Sequence, residues 1–283
     1  MNDNNQQNLL QLLSSLDEKS VAVGLSIHQT SPTPDSIKML NDYQVMYQLF
    51  FKETVDNLEA KHLVKLNAST ILDLTNHQIT QLPKGIQQLK KLERLSLWSN
   101  QLTQLPKEIG QLKELQWLNL LQNKLEELPK EIGQLSSLQQ LDLEDNLVLA
   151  LPEEIGQLDH LQQLNLSKNR LTQLPKKIGQ LTSLRALNLW GNQLTQLPKE
   201  IGQLANLQEL NLRGNQLTQL PKEIGQLSEL QQLRLADNQI KRLPEEIQQL
   251  THLKTLDLAN NPVLGLQWET LTKWLPNCNI KWF

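Results

Sequence analysis

"LPKEIGQLANLQELNLRGNQLTQLPKEIGQL", residues 197–227, decides how this chain folds, because the octet LPKEIGQL that opens it returns 23 residues later to close it. Outward from this stretch, the pattern L-x-x-L-x-L-x-x-N-x-L-x-x-L-P-x-x-I-x-x-L recurs in register. Copies start at Ser69, Leu92, Leu115, Leu138, Leu161, Leu184, Leu207, Leu230 and Leu253. Eight copies are complete and the ninth decays. A fixed period of this length marks an array in which each unit buries its apolar face only by stacking on its neighbours.

Within a copy, each L-x-L pair, such as Leu95/Leu97 or Leu164/Leu166, reads as a short parallel strand whose leucines turn inward and whose intervening residues face solvent. The ninth slot carries Asn100, Asn123, Asn146, Asn169, Asn192, Asn215, Asn238 and Asn261, and only the first copy departs, with His77. A buried amide there can donate to and accept from the backbone groups that the strand exit leaves open, so stacked copies predict an asparagine ladder. His77 reads as a buried polar substitute at the end of that ladder. The L-P-x-x-I-x-x-L half supplies an outer wall, where proline fixes φ and no ladder donor is needed. That wall is expected to be extended or partly 3₁₀. The recurrent glycine (Gly110, Gly133, Gly156, Gly179, Gly202, Gly225) suggests a tight turn between the wall anchors.

These residues resemble the leucine-rich repeat proteins of the bacterial and Ras-group type, over about residues 69 to 275. The resemblance implies an α/β solenoid: a horseshoe with a parallel concave sheet, an irregular or 3₁₀ convex wall and, here, an N-terminal α-helical cap. It also implies a binding role without naming the partner, since the motif residues are the buried ones.

Three regions are expected: residues 1–68 as a helical cap or docking element, 69–252 as eight repeats, and 253–283 as a degenerate ninth repeat with a C-terminal cap. Helical spacing from Asn8, a helix capped by Asp17, a third helix capped by Asp35 and a fourth over residues 54–63 make up the first region. Its simplest role is to cover the edge of the first strand near Leu72 and Leu74. In the ninth copy Gln267 replaces proline, and "LQWETLTKWL" reads as a helix with Trp268, Leu271, Trp274 and Leu275 on one side. Ile280 and Trp282 then suggest a last strand beside Leu256 and Leu258. Cys278 reads as a small buried hydrophobe.

Candidate partner-binding residues are the outward-facing strand positions. Trp98, Leu121 and Trp190 share the seventh slot and Trp117 takes the third, which predicts an exposed apolar patch of the kind that anchors interfaces. The alternative is that each indole stiffens the sheet, with Arg94 or Arg185 stacked on a ring. Asp142, Glu144 and Asp145 precede Arg185, Arg213 and Arg234 along the array, a polarity able to orient an elongated partner. The fifth slot adds a polar stripe suited to a peptide or protein loop.

The remaining composition narrows the function. Net charge is −3 from 27 basic and 30 acidic residues, so nucleic acid is not expected as a partner. A lone cysteine and an N-terminus without a basic n-region predict a reducing, cytoplasmic location, and no apolar run predicts a membrane span. The five histidines lack metal-ligand spacing, and no phosphate loop or nucleophile elbow occurs. With eight residues after Leu275, no ligase or GTPase domain is expected beside the repeats. Neither enzyme activity, cofactor nor metal is expected. The reading is a monomeric protein-interaction module, bacterial and cytoplasmic, that binds a protein or peptide on its concave face in intracellular signalling. Self-assembly and a secreted effector acting through host-protein binding are the alternatives.

Overall fold

The structure, a computed structural model, describes residues 3–53, 55–262 and 267–282. Four helices open the chain: α1 (Asp3–Leu13), α2 (Glu18–Thr30), α3 (Pro34–Phe51) and α4 (Ala60–Asn67). Asp17 caps α2 as expected, accepting from Ser20 N at 2.8 Å. Helix α3 is capped instead by Thr33, which exchanges hydrogen bonds with Ser36. Pro34 explains the shift, since its preset φ and missing donor suit the first helical position and put the cap at Thr33, two residues upstream of Asp35. Helix α4 also differs from the expected 54–63. It begins at Ala60, where His62 Nδ1 accepts from Glu59 N at 3.0 Å, and its Leu63, Leu66 and Asn67 are buried together on one face.

Ten three-residue strands follow in one parallel sheet in strict chain order: β1 (Ile71–Asp73), β2 (Arg94–Ser96), β3 (Trp117–Asn119), β4 (Gln140–Asp142), β5 (Gln163–Asn165), β6 (Ala186–Asn188), β7 (Glu209–Asn211), β8 (Gln232–Arg234), β9 (Thr255–Asp257) and β10 (Asn279–Lys281). From β1 to β9 each pairs with the next at an offset of one period, as in Leu95 against Leu118, and β10 pairs with β9 at one residue more. Opposite the strands run eight 3₁₀ turns, from 84–88 to 245–249, each led by a proline near φ −65°. The inward leucines and the wall isoleucines are almost completely buried and form one continuous core with the helices. Burying each such side chain contributes about 1.5–3 kcal/mol, so stability accumulates copy by copy.

The asparagine ladder is present. Asn169 shows the recurring set: its Oδ1 accepts from Val148 N at 3.0 Å, and its Nδ2 donates to Leu143 O at 2.8 Å and Leu166 O at 3.1 Å. One side chain thus satisfies backbone groups of its own copy and the preceding one. His77, at the ladder's end, is only half-buried; its backbone N–H donates to Asn100 Oδ1 at 3.1 Å and its ring Nδ1 lies 2.8 Å from Thr75 O.

The wall glycines have a different reason from the expected tight turn. They lie inside the 3₁₀ turns at ordinary φ, but a Cβ on Gly156 would stand 2.4 Å from Lys177 O in the next copy, and the other five are equally crowded. Glycine is there to let neighbouring turns approach. In the first copy the crowded glycine is Gly85, whose Cβ would meet Asp42 of α3 at 2.6 Å. Helix α3 therefore docks on the first wall turn, so the helical segment meets the array chiefly at its wall. Ile71, on the hollow side of β1, remains 65% exposed.

At the far end α5 (Trp268–Trp274) replaces the wall turn, and β10 pairs with β9 through Ile280 and Leu256 as anticipated. Leu271 and Leu275 are buried, but Trp268, at the first turn of α5, is 45% exposed and edge-on to Trp282 at 5.0 Å. Cys278 is half-buried rather than enclosed.

Candidate protein-binding face

The parallel pairing lines up every third, fifth and seventh slot into three rows along the hollow face. Rows two residues apart stand about 6.6 Å from each other along the strands, and neighbours within a row are about 4.8 Å apart. In the seventh row Trp98 is 41% exposed and Trp190 37% exposed, with half-buried Leu121 one strand beyond Trp98. Trp117 is in the third row, on the opposite rim, where the Arg94 guanidinium lies 5.0 Å from its ring. The expected single apolar patch is therefore split: Trp98 and Leu121 share one rim, Trp117 faces them across polar fifth-row side chains, and Trp190 sits four strands away. Each indole has a local partner as well. Trp98 Nε1 donates to Gln122 Oε1 at 3.0 Å, and Lys168 Nζ stands 5.0 Å from the Trp190 ring.

Between the rims lies a trough of about 250 Å³ from Trp117 to Arg234, floored by Asp142, Asn165, Asn188 and Asn211. Its polar stripe is less free than its composition suggests. The side-chain oxygens of Asn119, Asp142, Asn188 and Asn211 accept from the N–H two residues on, at 2.9, 2.9, 3.2 and 3.1 Å. These bonds cap the seventh-row N–H groups, which the sheet does not pair. What remains for a ligand is chiefly the amide nitrogens of the asparagines, a row of donors. Asp142 is the exception in charge, and burial pushes its carboxyl above the usual carboxylate range against the hydrogen bond from Glu144 N.

Two of the expected charges are already paired. Glu144 meets Lys168 at 2.9 Å; burial works to raise its carboxyl, but the hydrogen bonds from Lys168 and Asn165 and the Lys168 charge outweigh that and hold it low. Arg213 Nε meets Asp237 at 2.7 Å. Arg234 turns to Gln232 Oε1 at 2.7 Å, while exposed Arg185 precedes β6 and does not line the trough. The acidic-to-basic gradient is accordingly muted by pairing along the rows.

Sequence reasoning missed the eighth slot. Asn76, Ser99, Gln122, Asp145, Lys168, Gly191, Gly214, Asp237 and Asn260 all have φ between 52° and 67°, so each of β1 to β9 leaves the sheet through a left-handed residue. Asparagine, aspartate and glycine fill six of these nine positions, which is the signal that was available. This corner carries Gln122, Lys168 and Asp237, the residues that hold Trp98, Glu144 and Arg213 in place.

Models of the leucine-rich repeat region match residues 25–146, 107–193, 141–213 and 176–261, and a leucine-rich repeat model matches 252–274. This chain belongs to the leucine-rich repeat family. Among solved structures, the leucine-rich repeat protein is similar to the ectodomain of the plant membrane receptor kinase GASSHO1/SCHENGEN3 from Arabidopsis thaliana, solved in complex with CASPARIAN STRIP INTEGRITY FACTOR 2. Identity is 34% over 65% of this chain and 26% of that one, with a TM-score of 0.53. A TDR receptor is 26% identical over 75% of this chain and 42% of its own, with a TM-score of 0.61. The Leptospira interrogans protein LIC12759 is 30% identical over 81% and 99%, with a TM-score of 0.33. The chain thus spans about a quarter of the plant ectodomain. No curated protein matches it. Leucine-rich repeat regions generally mediate protein–protein interaction and are scaffolds rather than catalysts.

Catalytic geometry is also unpromising at the close serine–histidine contact found among the described residues. Ser36 Oγ lies 2.8 Å from His28 Nδ1 but is fully buried and donates to Thr33 O at 3.0 Å as part of the α3 cap. Among the described residues no cluster of metal-ligating side chains forms, and no helix is long and apolar enough to cross a membrane.

Proposed function

We propose that this repeat protein binds a protein or peptide along its hollow face, gripping it between the Trp98/Leu121 and Trp190 rim and the Trp117 rim. Two exposed indoles on a rigid sheet carry this reading, because aromatic side chains held without freedom to collapse are the residues that most often dominate binding energy. The donor row of Asn119, Asn188 and Asn211 suits the backbone carbonyls of an extended segment lying in the trough. The complex in which the plant ectodomain was solved supports a macromolecular partner. Glu144, Arg185, Arg213 and Arg234 would meet that partner at the margins, where charge tunes orientation more than affinity.

The finer assignment, a bacterial protein of the 23-residue LPxxIxxL type acting as a cytoplasmic monomer in signalling, rests on the repeat pattern and on the lone thiol. Burial pushes Cys278 up to about 11, which leaves it protonated and unreactive. Trp98→Ala with Trp190→Ala is expected to reduce recovery of a specific partner in affinity capture by about tenfold or more while leaving the circular dichroism spectrum unchanged. Undiminished recovery would overturn the reading.

A further inference from the structure

A repeat array contains its own controls, and one copy breaks rank on a surface away from the hollow face. In the other seven complete copies the tenth slot is glutamine, lysine or arginine, the twelfth is threonine, glutamate or lysine, and the thirteenth is glutamine, glutamate or arginine. The fourth copy has Leu147, Leu149 and Ala150 there. Leu149 N donates to Glu126 O at 3.1 Å, a bond that recurs among the described residues only from Lys241 N to Thr218 O, yet the Leu149 side chain stays 53% exposed, Ala150 is exposed and Leu147 is half-buried. Apolar side chains left in water at three slots of a single copy do nothing for the core. Their removal from water requires something that is not part of the described residues.

The surroundings say what kind of occupant. Leu149 and Ala150 form one lip of an open groove of about 620 Å³ that runs past Glu127 and Glu126 to Thr103. Both glutamates are exposed, and both stand where most other copies have threonine and glutamine. In the fourth copy itself Glu153 replaces the lysine found in six of the other seven complete wall turns. None of these three carboxylates takes part in an ion pair among the described residues. On the same flank Lys124 is drawn to Gln101 Oε1 at 3.4 Å instead. An apolar lip beside unpaired acidic groups is complementary to a segment that alternates apolar and cationic side chains, since each carboxylate then gains a partner while the leucines lose water.

We infer that the flank formed by Leu147, Leu149, Ala150, Glu126 and Glu127 is a second docking site, for a partner segment that sets leucine-like side chains beside lysines or arginines. It is separate from the hollow face and works independently of the tryptophans.

The test uses the full chain and a fluorescent synthetic peptide of alternating leucine and lysine, with a leucine–glutamate peptide as its counterpart, followed by anisotropy. The lysine peptide should bind and the glutamate peptide should not. Leu147→Gln, Leu149→Thr and Ala150→Gln together restore what other copies carry, so the fold is retained, and they should weaken binding about tenfold or more. Glu126→Thr with Glu127→Gln should weaken it too and flatten its salt dependence. The Trp98→Ala, Trp190→Ala protein should bind the lysine peptide as the wild type does, which separates this site from the hollow face. Absence of binding, equal binding of both peptides, or unchanged binding by the triple variant would each overturn the proposal. So would sedimentation showing a wild-type dimer that the triple variant loses, since the occupant would then be a second copy.

Discussion

The wall and the hollow face are built by the same 23-residue period, yet they use it in opposite ways. On the wall the repeat is strict in proline, isoleucine and leucine, and six glycines face the carbonyl of the next copy at 2.3–2.5 Å from where a Cβ would be. On the hollow face the third, fifth and seventh slots differ from copy to copy, because their side chains point away from the core. The residues free to vary therefore collect on the hollow side. Invariance thus reports contact between copies, whereas variety reports a surface available to something else.

The glycines offer the sharpest way to break this contrast, because the two faces need glycine for different reasons. Gly156→Ala on the wall drives a Cβ to 2.4 Å from a backbone oxygen, so turns must separate; a loss of roughly 1–3 kcal/mol is expected from overpacking. Urea unfolding measures it, and a loss under about 0.5 kcal/mol would mean that the wall is looser than described. Gly191→Ser, at the strand exit, should do less. Its nearest neighbour to a new Cβ is 3.7 Å away, so only the left-handed φ of 67° is penalised, at about 1 kcal/mol. Ser99 already tolerates the same conformation at φ 55°.

The smallest effect belongs to the rim ion pair. Hydrogen bonds from Asn260 and Arg213 hold the Asp237 carboxyl below its ordinary value. A folded-state value lower than the unfolded one means stability that is present above the ordinary aspartate range and is lost as pH falls through the depressed value. Asp237→Asn should therefore cost under about 1 kcal/mol near neutrality, and the two proteins should converge in acid. A difference that persists at low pH would assign the effect to packing rather than charge.

Much of this was legible because the signal is multiplied ninefold. Leu95, Leu118 and their equivalents announce the strands, Asn100 to Asn261 the ladder, and Pro106 with Ile109 the wall. The helices were less legible: Asp17 marks its cap directly, but Thr33 was hidden behind Asp35 because both residue types cap helices and only the folded α3 shows that Pro34 is its first residue. The wall glycines were read as turns because a sequence lists neighbours along the chain, not the carbonyl 21 residues further on that crowds them. The muted charge pattern had the same cause, since Glu144 meets Lys168, and Arg213 meets Asp237, one copy away.

By itself the sequence determined the stacking: inward leucines at a constant interval have one economical way to leave water, which sets strand order, register and the outward direction of Trp98, Trp117 and Trp190. Only the tertiary structure decided how those outward groups are used. Spacing between rows split the tryptophans across two rims, Asx bonds consumed the oxygens of the polar stripe, and neighbouring copies paired off the charges. Burial is decided by a repeat's own pattern, but what remains available at a surface depends on which side chains adjacent copies bring within reach.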